Sequence, residues 1–233
     1  MGIDKLTQAA GALLFPEKAR CCACGDISGS ETEFLCPDCR RLLRPRLHLS
    51  KGRDPEGFGV CRFAMKYSSP AGALVKLLKY GGVKRCAPEL VRLMQPAIDD
   101  IPADGYDLIV PVPLHREREW ERGFNQALLL ANGISEKTGI PVDTSLKRLR
   151  RTRRQARVSY SGRGDNVKGA FGTKADHSGM RILLVDDIIT SGSTLNACAA
   201  VLRGTGAVRV DAVCAAGSMR RARPLGHSYK HKK

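Results

Sequence analysis

The stretch that most limits what this chain can become runs from Arg181 to Ala207, "RILLVDDIITSGSTLNACAAVLRGTGA". Its apolar run, Ile182 to Val185, reads as a strand buried on both sheet faces, as central parallel strands are. Asp186 and Asp187 follow at the carboxyl end, where open α/β sheets place their ligands. Consecutive strand residues point in opposite directions, so both acids reach one ligand only if the chain starts to curve after Val185. "TSGST" suits that curve. Gly192 relaxes the backbone, while Thr190, Ser191, Ser193 and Thr194 set hydroxyls beside a row of N–H groups opening a helix predicted over Ser193 to Arg203. Such a row cradles phosphate. Carboxylates repel phosphate, but they accept hydrogen bonds from vicinal sugar hydroxyls and can organise a magnesium shell. A sugar phosphate meets both demands.

Competing ligand classes fit less well. An acid pair at a strand end also serves magnesium-dependent phosphoacceptor domains, which need no hydroxyl-rich loop directly after it. The Gly-rich loop of a nucleoside triphosphatase, ending in Lys and Ser or Thr, is absent from the sequence. No properly placed G-x-G-x-x-G points to a dinucleotide.

The surrounding chain supplies an alternation. In "YDLIVPVPLHR" a buried strand is predicted over Leu108 to Val110, and Pro111 and Pro113 take it out of sheet geometry. "NQALLLANGISEKTG" reads as a helix closing near Gly139, and a further strand is expected from Val208 to Cys214. This rhythm predicts an α/β fold, a parallel sheet flanked by helices. Between Cys61 and Gln95 a short strand and helices are expected to cover that sheet; Ala73, Leu74, Leu77, Leu78 and Tyr80 leave Lys76 and Lys79 on a more polar side. Lys66 and Lys79 are either anion contacts or ordinary lysines on a solvated face.

Nine cysteines in a chain expected to be cytoplasmic direct attention to spacing rather than to disulfides. Cys21-x2-Cys24 and Cys36-x2-Cys39 can converge to give four thiolates to one tetrahedral zinc. Such a structural zinc contributes on the order of 10 kcal/mol to folding and replaces the core that a segment of residues 15–45 lacks. Cys22 is an alternative to Cys21, although Gly25 favours Cys21 and Cys24 as the knuckle. The other reading is a set of reduced or redox-active thiols.

Lys plus Arg number 39 against 23 Asp plus Glu, a net charge of +16 that concentrates polyanions near the surface. Aromatic residues are few, at 5%, and no base-stacking motif accompanies the charge. The basic passage "KRLRRTRRQAR", from Lys147 to Arg157, can neutralise pyrophosphate, receive single-stranded DNA, contact an acidic protein, or remain a solvated loop. No apolar run approaches the roughly 18 residues of a membrane span, so no membrane insertion is expected, and the expected compartment is cytoplasmic.

With these blocks in view, "ILLVDDIITSGST" resembles the phosphoribosyl pyrophosphate (PRPP) signature of type I phosphoribosyltransferases. Together with "VPVPLHREREWERGFNQALLLA", "RLRRTRRQARVSYSGRGDNVKGAF" and the cysteine segment, it makes the chain similar to the ComF family of competence-associated phosphoribosyltransferase-like proteins, over about Phe15 to Ala216. The resemblance implies a small N-terminal zinc-binding module at 15–45, a phosphoribosyltransferase-like domain at 60–217 and a basic tail at 218–233. It implies that Asp186 and Asp187 contact ribose hydroxyls and that Thr190, Ser191, Gly192, Ser193 and Thr194 hold the 5′-phosphate. A loop after an earlier strand holds pyrophosphate in such proteins; here Pro113, Leu114, His115 and Arg116 are placed to do so. Arg116 and Arg122 suit phosphate oxygens through bidentate guanidinium contacts, although Glu117, Glu119 and Glu121 also fit an exposed mixed-charge helix. Gly123 allows close approach, and Asn125 and Gln126 can orient loop or ligand. A hood over the site is expected in the passage carrying Thr152, Gln155, Arg163 and Asn166. Ser191 stands where the signature commonly has Thr, and Cys61 stands apart from any second metal set.

Two functions follow. One is Mg-dependent transfer of ribose 5-phosphate from PRPP to an unidentified acceptor, with Asp186, Asp187 and Arg116 as the catalytic set and His115 either a proton carrier or structural. The other is a noncatalytic PRPP-fold factor that binds DNA or proteins of the DNA-uptake machinery.

Overall fold

The computed structural model describes residues 20–26, 34–43, 45–51, 57–67, 69–102, 105–150 and 169–218. Five strands form the main sheet: β1 (His48–Lys51), β2 (Val60–Lys66), β3 (Leu108–Pro111), β6 (Arg181–Ile189) and β7 (Arg209–Gly217), in the order β1-β2-β7-β6-β3. β2, β7, β6 and β3 are mutually parallel, and β1 runs antiparallel at the edge. The parallel α/β sheet expected from the sequence is present. Two short strands, β4 (Lys147–Arg148) and β5 (Phe171–Gly172), make a separate antiparallel pair.

The helices are α1 (Pro37–Leu43), α2 (Ser69–Tyr80), α3 (Ala87–Leu93), α4 (Gln95–Ile98), α5 (Arg116–Arg122), α6 (Gln126–Thr138) and α7 (Ser193–Gly204). Their limits follow from local chemistry. α6 starts where the Asn125 side chain accepts a hydrogen bond from the Ala127 N–H at 2.9 Å, and stops where Gly139 turns left-handed at φ 74°. α7 buries Leu195, Cys198, Ala199 and Leu202, the spacing of one helical face.

The sheet separates two apolar layers. One packs Leu74, Val75 and Leu78 of α2, Leu90 of α3 and Leu130 and Ile134 of α6 against Leu183, Val185 and Val213; it also takes in Cys21, Leu35, Cys36, Cys39 and Leu43. The other packs Leu195, Cys198 and Leu202 of α7, with Leu146 and Phe171, against Ile182, Leu184 and Ala212. Each buried Leu contributes roughly 1.5–3 kcal/mol. The cysteine segment thus shares a core with the helices that cover the sheet.

Strand ends differ from the expectation. β6 continues past Val185 to Ile189, because Ile188 and Ile189 find register partners in Ala216 and Gly217 of an equally extended β7. The acid pair therefore lies within a strand, and the chain turns only after Ile189. β1 pairs with β2 from His48↔Phe63 to Lys51↔Val60, an edge strand lying between the two expected units.

Candidate functional site

Pairing of β3 with β6, Pro111 against Val185, brings the loops that follow these two strands to the same end of the sheet. The Val112 N–H donates to Val185 O at 2.9 Å, so the loop 112–115 leaves beside the acid pair. Asn125, buried, donates to Val112 O at 3.1 Å while capping α6. It therefore ties that loop to a helix, a structural use of the residue that the sequence left open between loop and ligand.

Beyond Ile189, Thr190 and Ser191 are exposed, and Gly192 takes φ 77° as the residue before α7. The Ser191 and Ser193 hydroxyls lie 3.0 Å apart. Gly192 lies at the positive end of α7, where an anion is favoured, and the Ser193 N–H donates to Ser191 Oγ at 3.4 Å.

Asp186 and Asp187 lie on opposite faces, as strand alternation requires, and each has a cation on its own side. Lys79, in the last turn of α2, places Nζ 2.9 Å from Asp187 Oδ1. Asp186 has Arg148 of β4 and the thiol of Cys198 in α7 among its electrostatic neighbours. Burial, and next the charge of Asp187, push the Asp186 carboxyl up to about 7, against the pull of Lys79, the Asp187 N–H and Arg148. Burial raises the Cys198 thiol well above its ordinary value, so it is a neutral packing group.

Lys79 is therefore neither the free anion contact nor the solvated lysine that the sequence allowed; Lys66 is exposed. Arg122 stacks over the Tyr80 ring at 5.6 Å, donates to Gln126 Oε1 and feels the charge of Asp187. Arg116 is exposed at the start of α5. His115 precedes it, with Nδ1 enclosed and the nearest carboxylate, Glu117 Oε2, at 3.9 Å. Pro113 is buried and Leu114 half-buried in the same loop. The structure thus gathers Lys79, Arg122, Asp187 and Gln126 in one place. The sequence offered Lys79 as an anion contact and Arg148 within the basic passage, but gave no sign that either would neighbour the acid pair. Thr152, Gln155, Arg163 and Asn166, the expected hood residues, lie outside the described residues; β4 and β5 flank that segment.

At the cysteines the geometry suits a metal centre. The sulfurs of Cys21, Cys24, Cys36 and Cys39 all lie within 4.8 Å of one another. Cys24 and Cys36 are 3.7 Å apart, close to the edge of about 3.8 Å that a tetrahedron with Zn–S of about 2.3 Å requires. The Gly25 N–H donates to Cys21 O and the Arg40 N–H to Cys36 O, both at 2.9 Å, closing the two knuckles. Cys22 stands outside the set, and burial raises its thiol to about 11. Beside it, between the first knuckle and α2, runs a cleft of about 760 Å³ bordered by Lys76, Tyr67 and Tyr80. Among the described residues no helix is long and apolar enough to cross a membrane.

Fold and loops together define an α/β protein of phosphoribosyltransferase type carrying a four-cysteine module. The phosphoribosyl transferase domain family matches residues 125–233. Competence protein F of Haemophilus influenzae is 34% identical over 196 residues, spanning 81% of this chain and 81% of that protein. DNA utilization protein YhgH of Salmonella typhimurium is 35% identical over 188 residues, spanning 77% and 82%. The chain belongs to the ComF family of competence-associated phosphoribosyltransferase-like proteins. Among solved structures, the adenine phosphoribosyltransferase of Saccharomyces cerevisiae overlaps more loosely, at 14% identity and a TM-score of 0.37 over 77% of this chain and 89% of that one.

Proposed function

We propose that the chain binds PRPP with magnesium and transfers its ribose 5-phosphate to an acceptor with release of pyrophosphate, in DNA uptake, while a structural zinc occupies Cys21, Cys24, Cys36 and Cys39. One observation carries the reading: two neighbouring parallel strands, β3 and β6, open their loops at the same sheet end, with the acid pair beside them. A ligand with an anionic group at each end and a diol between matches that layout.

In this reading the N–H groups from Thr190 to Thr194 take the 5′-phosphate, Asp187 accepts a hydrogen bond from a ribose hydroxyl, and Asp186 reaches the same sugar only as ligand binding bends β6 between the two acids. The loop from Pro113 to Arg116 takes the pyrophosphate, with Arg122 nearby. The donor set fits, because Asp187 retains a buried oxygen that no hydrogen bond satisfies among the described residues. Magnesium would neutralise pyrophosphate charge as the C1–O bond lengthens and C1 gains oxocarbenium character. The protein then contributes positioning and electrostatic stabilisation, with no protein nucleophile.

Labelled PRPP offered with a panel of bases, nucleotides and single-stranded DNA tests this. Product formation supports transfer. Tight PRPP binding with no turnover across the panel favours the noncatalytic reading, which the +16 charge supports. Asp186→Asn and Asp187→Asn should each weaken Mg–PRPP binding, and unchanged affinity would sink their assigned roles. Affinity for single-stranded DNA should fall steeply with salt if the basic surface acts through phosphates.

A further inference from the structure

We propose that Lys79 is a positioning residue of the sugar site: it takes Asp187 Oδ1, so that Asp187 offers one oxygen, reads one ribose hydroxyl and holds no cation. The inference deepens the sugar-phosphate reading and rests on it.

Two observations converge. First, the Lys79–Asp187 contact is 2.9 Å between side chains that are 22% and 3% exposed, so it is sheltered from the screening that weakens surface pairs. Second, Asp187 Oδ2 is enclosed and has no hydrogen-bond partner among the described residues. A buried acceptor left without a donor is costly and calls for an explanation, and a ligand hydroxyl would supply the missing hydrogen.

The ammonium also decides what Asp187 excludes. A divalent cation bound there would share the carboxylate with a positive charge already in contact, and the Arg122 guanidinium adds a second nearby. A hydroxyl meets no such repulsion. The helix fixes the approach of Lys79: Leu74, Val75 and Leu78 of α2 are buried in the layer that also holds Val185, and the adjacent Tyr80 ring lies under Arg122.

Calorimetric titration of the full chain with ribose 5-phosphate and its 2-deoxy and 3-deoxy analogues tests the assignment. The wild-type chain should lose affinity about tenfold or more for at least one missing hydroxyl, as sites that hydrogen-bond a hydroxyl do. In Lys79→Met that preference should shrink to about twofold, with inorganic phosphate still competing as before, and Lys79→Arg should restore it. Lys79→Gln, which keeps a polar head and lowers the folding risk, should behave like Lys79→Met. Mn2+ alone, followed by electron paramagnetic resonance, should show no saturable site in the wild type that Asp187→Asn removes. A wild-type chain that binds neither ribose 5-phosphate nor PRPP would overturn the sugar-phosphate reading itself. Discrimination that survives in folded Lys79→Met or Lys79→Gln, or an Asp187-dependent Mn2+ site in the wild type, would overturn the role of Lys79 alone.

Discussion

Tyr106 donates its phenolic hydrogen to Asp211 Oδ2 at 2.7 Å, at the end of the sheet opposite the acid pair. The same carboxylate accepts Val60 N–H and Arg209 Nε, each at 2.8 Å, and Arg62 reaches Tyr106 Oη at 3.2 Å. Burial, then the Asp211 carboxylate, raises the Tyr106 hydroxyl to about 12, so it stays a donor at all working pH. This network joins the starts of β2, β3 and β7 far from any ligand. Tyr106→Phe should cost about 1–3 kcal/mol of stability through loss of a buried hydrogen bond to a carboxylate that keeps Arg209 as a donor. Urea denaturation reads that loss, and PRPP affinity should stay put; a fall in affinity without a fall in stability would contradict the separation.

Asp186 sets a pH dependence with a definite sign. Its folded-state carboxyl is raised from 3.8 to about 7, so between those values the folded chain binds more protons than the unfolded one. Stability is therefore greatest toward the acid end of that window, falls as pH rises through it, and levels off above about 7. Asp186→Asn removes this titration. Urea midpoints at about pH 5 and about pH 8 should draw closer together in the variant, whose advantage over the wild type should be larger at the alkaline point. Equal pH slopes in both chains would clear Asp186 of the effect.

Gly192 has φ 77°, and a Cβ there would sit 3.1 Å from Phe58 Cε1. Gly192→Ala should cost about 1–2 kcal/mol from the left-handed backbone and lose phosphate affinity by disturbing the N–H row. Thermal melts with and without inorganic phosphate separate the two effects: the unliganded melting point should drop, and the shift produced by phosphate should shrink.

The cysteine centre predicts about one zinc per purified chain. Cys36→Ser together with Cys39→Ser should abolish it and lower the melting point, since both side chains also belong to the shared core. Mass-spectrometric metal analysis of freshly reduced protein decides the matter, and a metal-free wild-type chain would end the zinc assignment.

What could be read beforehand was whatever lies close together along the chain. Asp186, Asp187 and the Thr190–Thr194 loop are contiguous, so strand-end geometry and backbone freedom suffice to interpret them. The four cysteines betray themselves by spacing. Lys79 and Arg148 did not, because their meaning depends on which helix and which short strand pack beside β6, and no local pattern encodes that. The true length of β6 was hidden for a similar reason: Ile188 and Ile189 become strand residues through register with Ala216 and Gly217. "HLSK" at β1 is too short and too mixed to announce an edge strand.

Helix α2 has one more consequence. Along one flank it borders the cleft beside Cys22, and its last turn delivers Lys79 to Asp187. Cys22 and Ala23 line that cleft together with Tyr80 and Gly81, so the cysteine segment and the ammonium at Asp187 meet the same last turn of the helix. If zinc binds the four thiolates and a sugar binds at Asp187, both lean on one turn of helix, so stripping the metal should loosen the sugar and filling the sugar site should brace the metal.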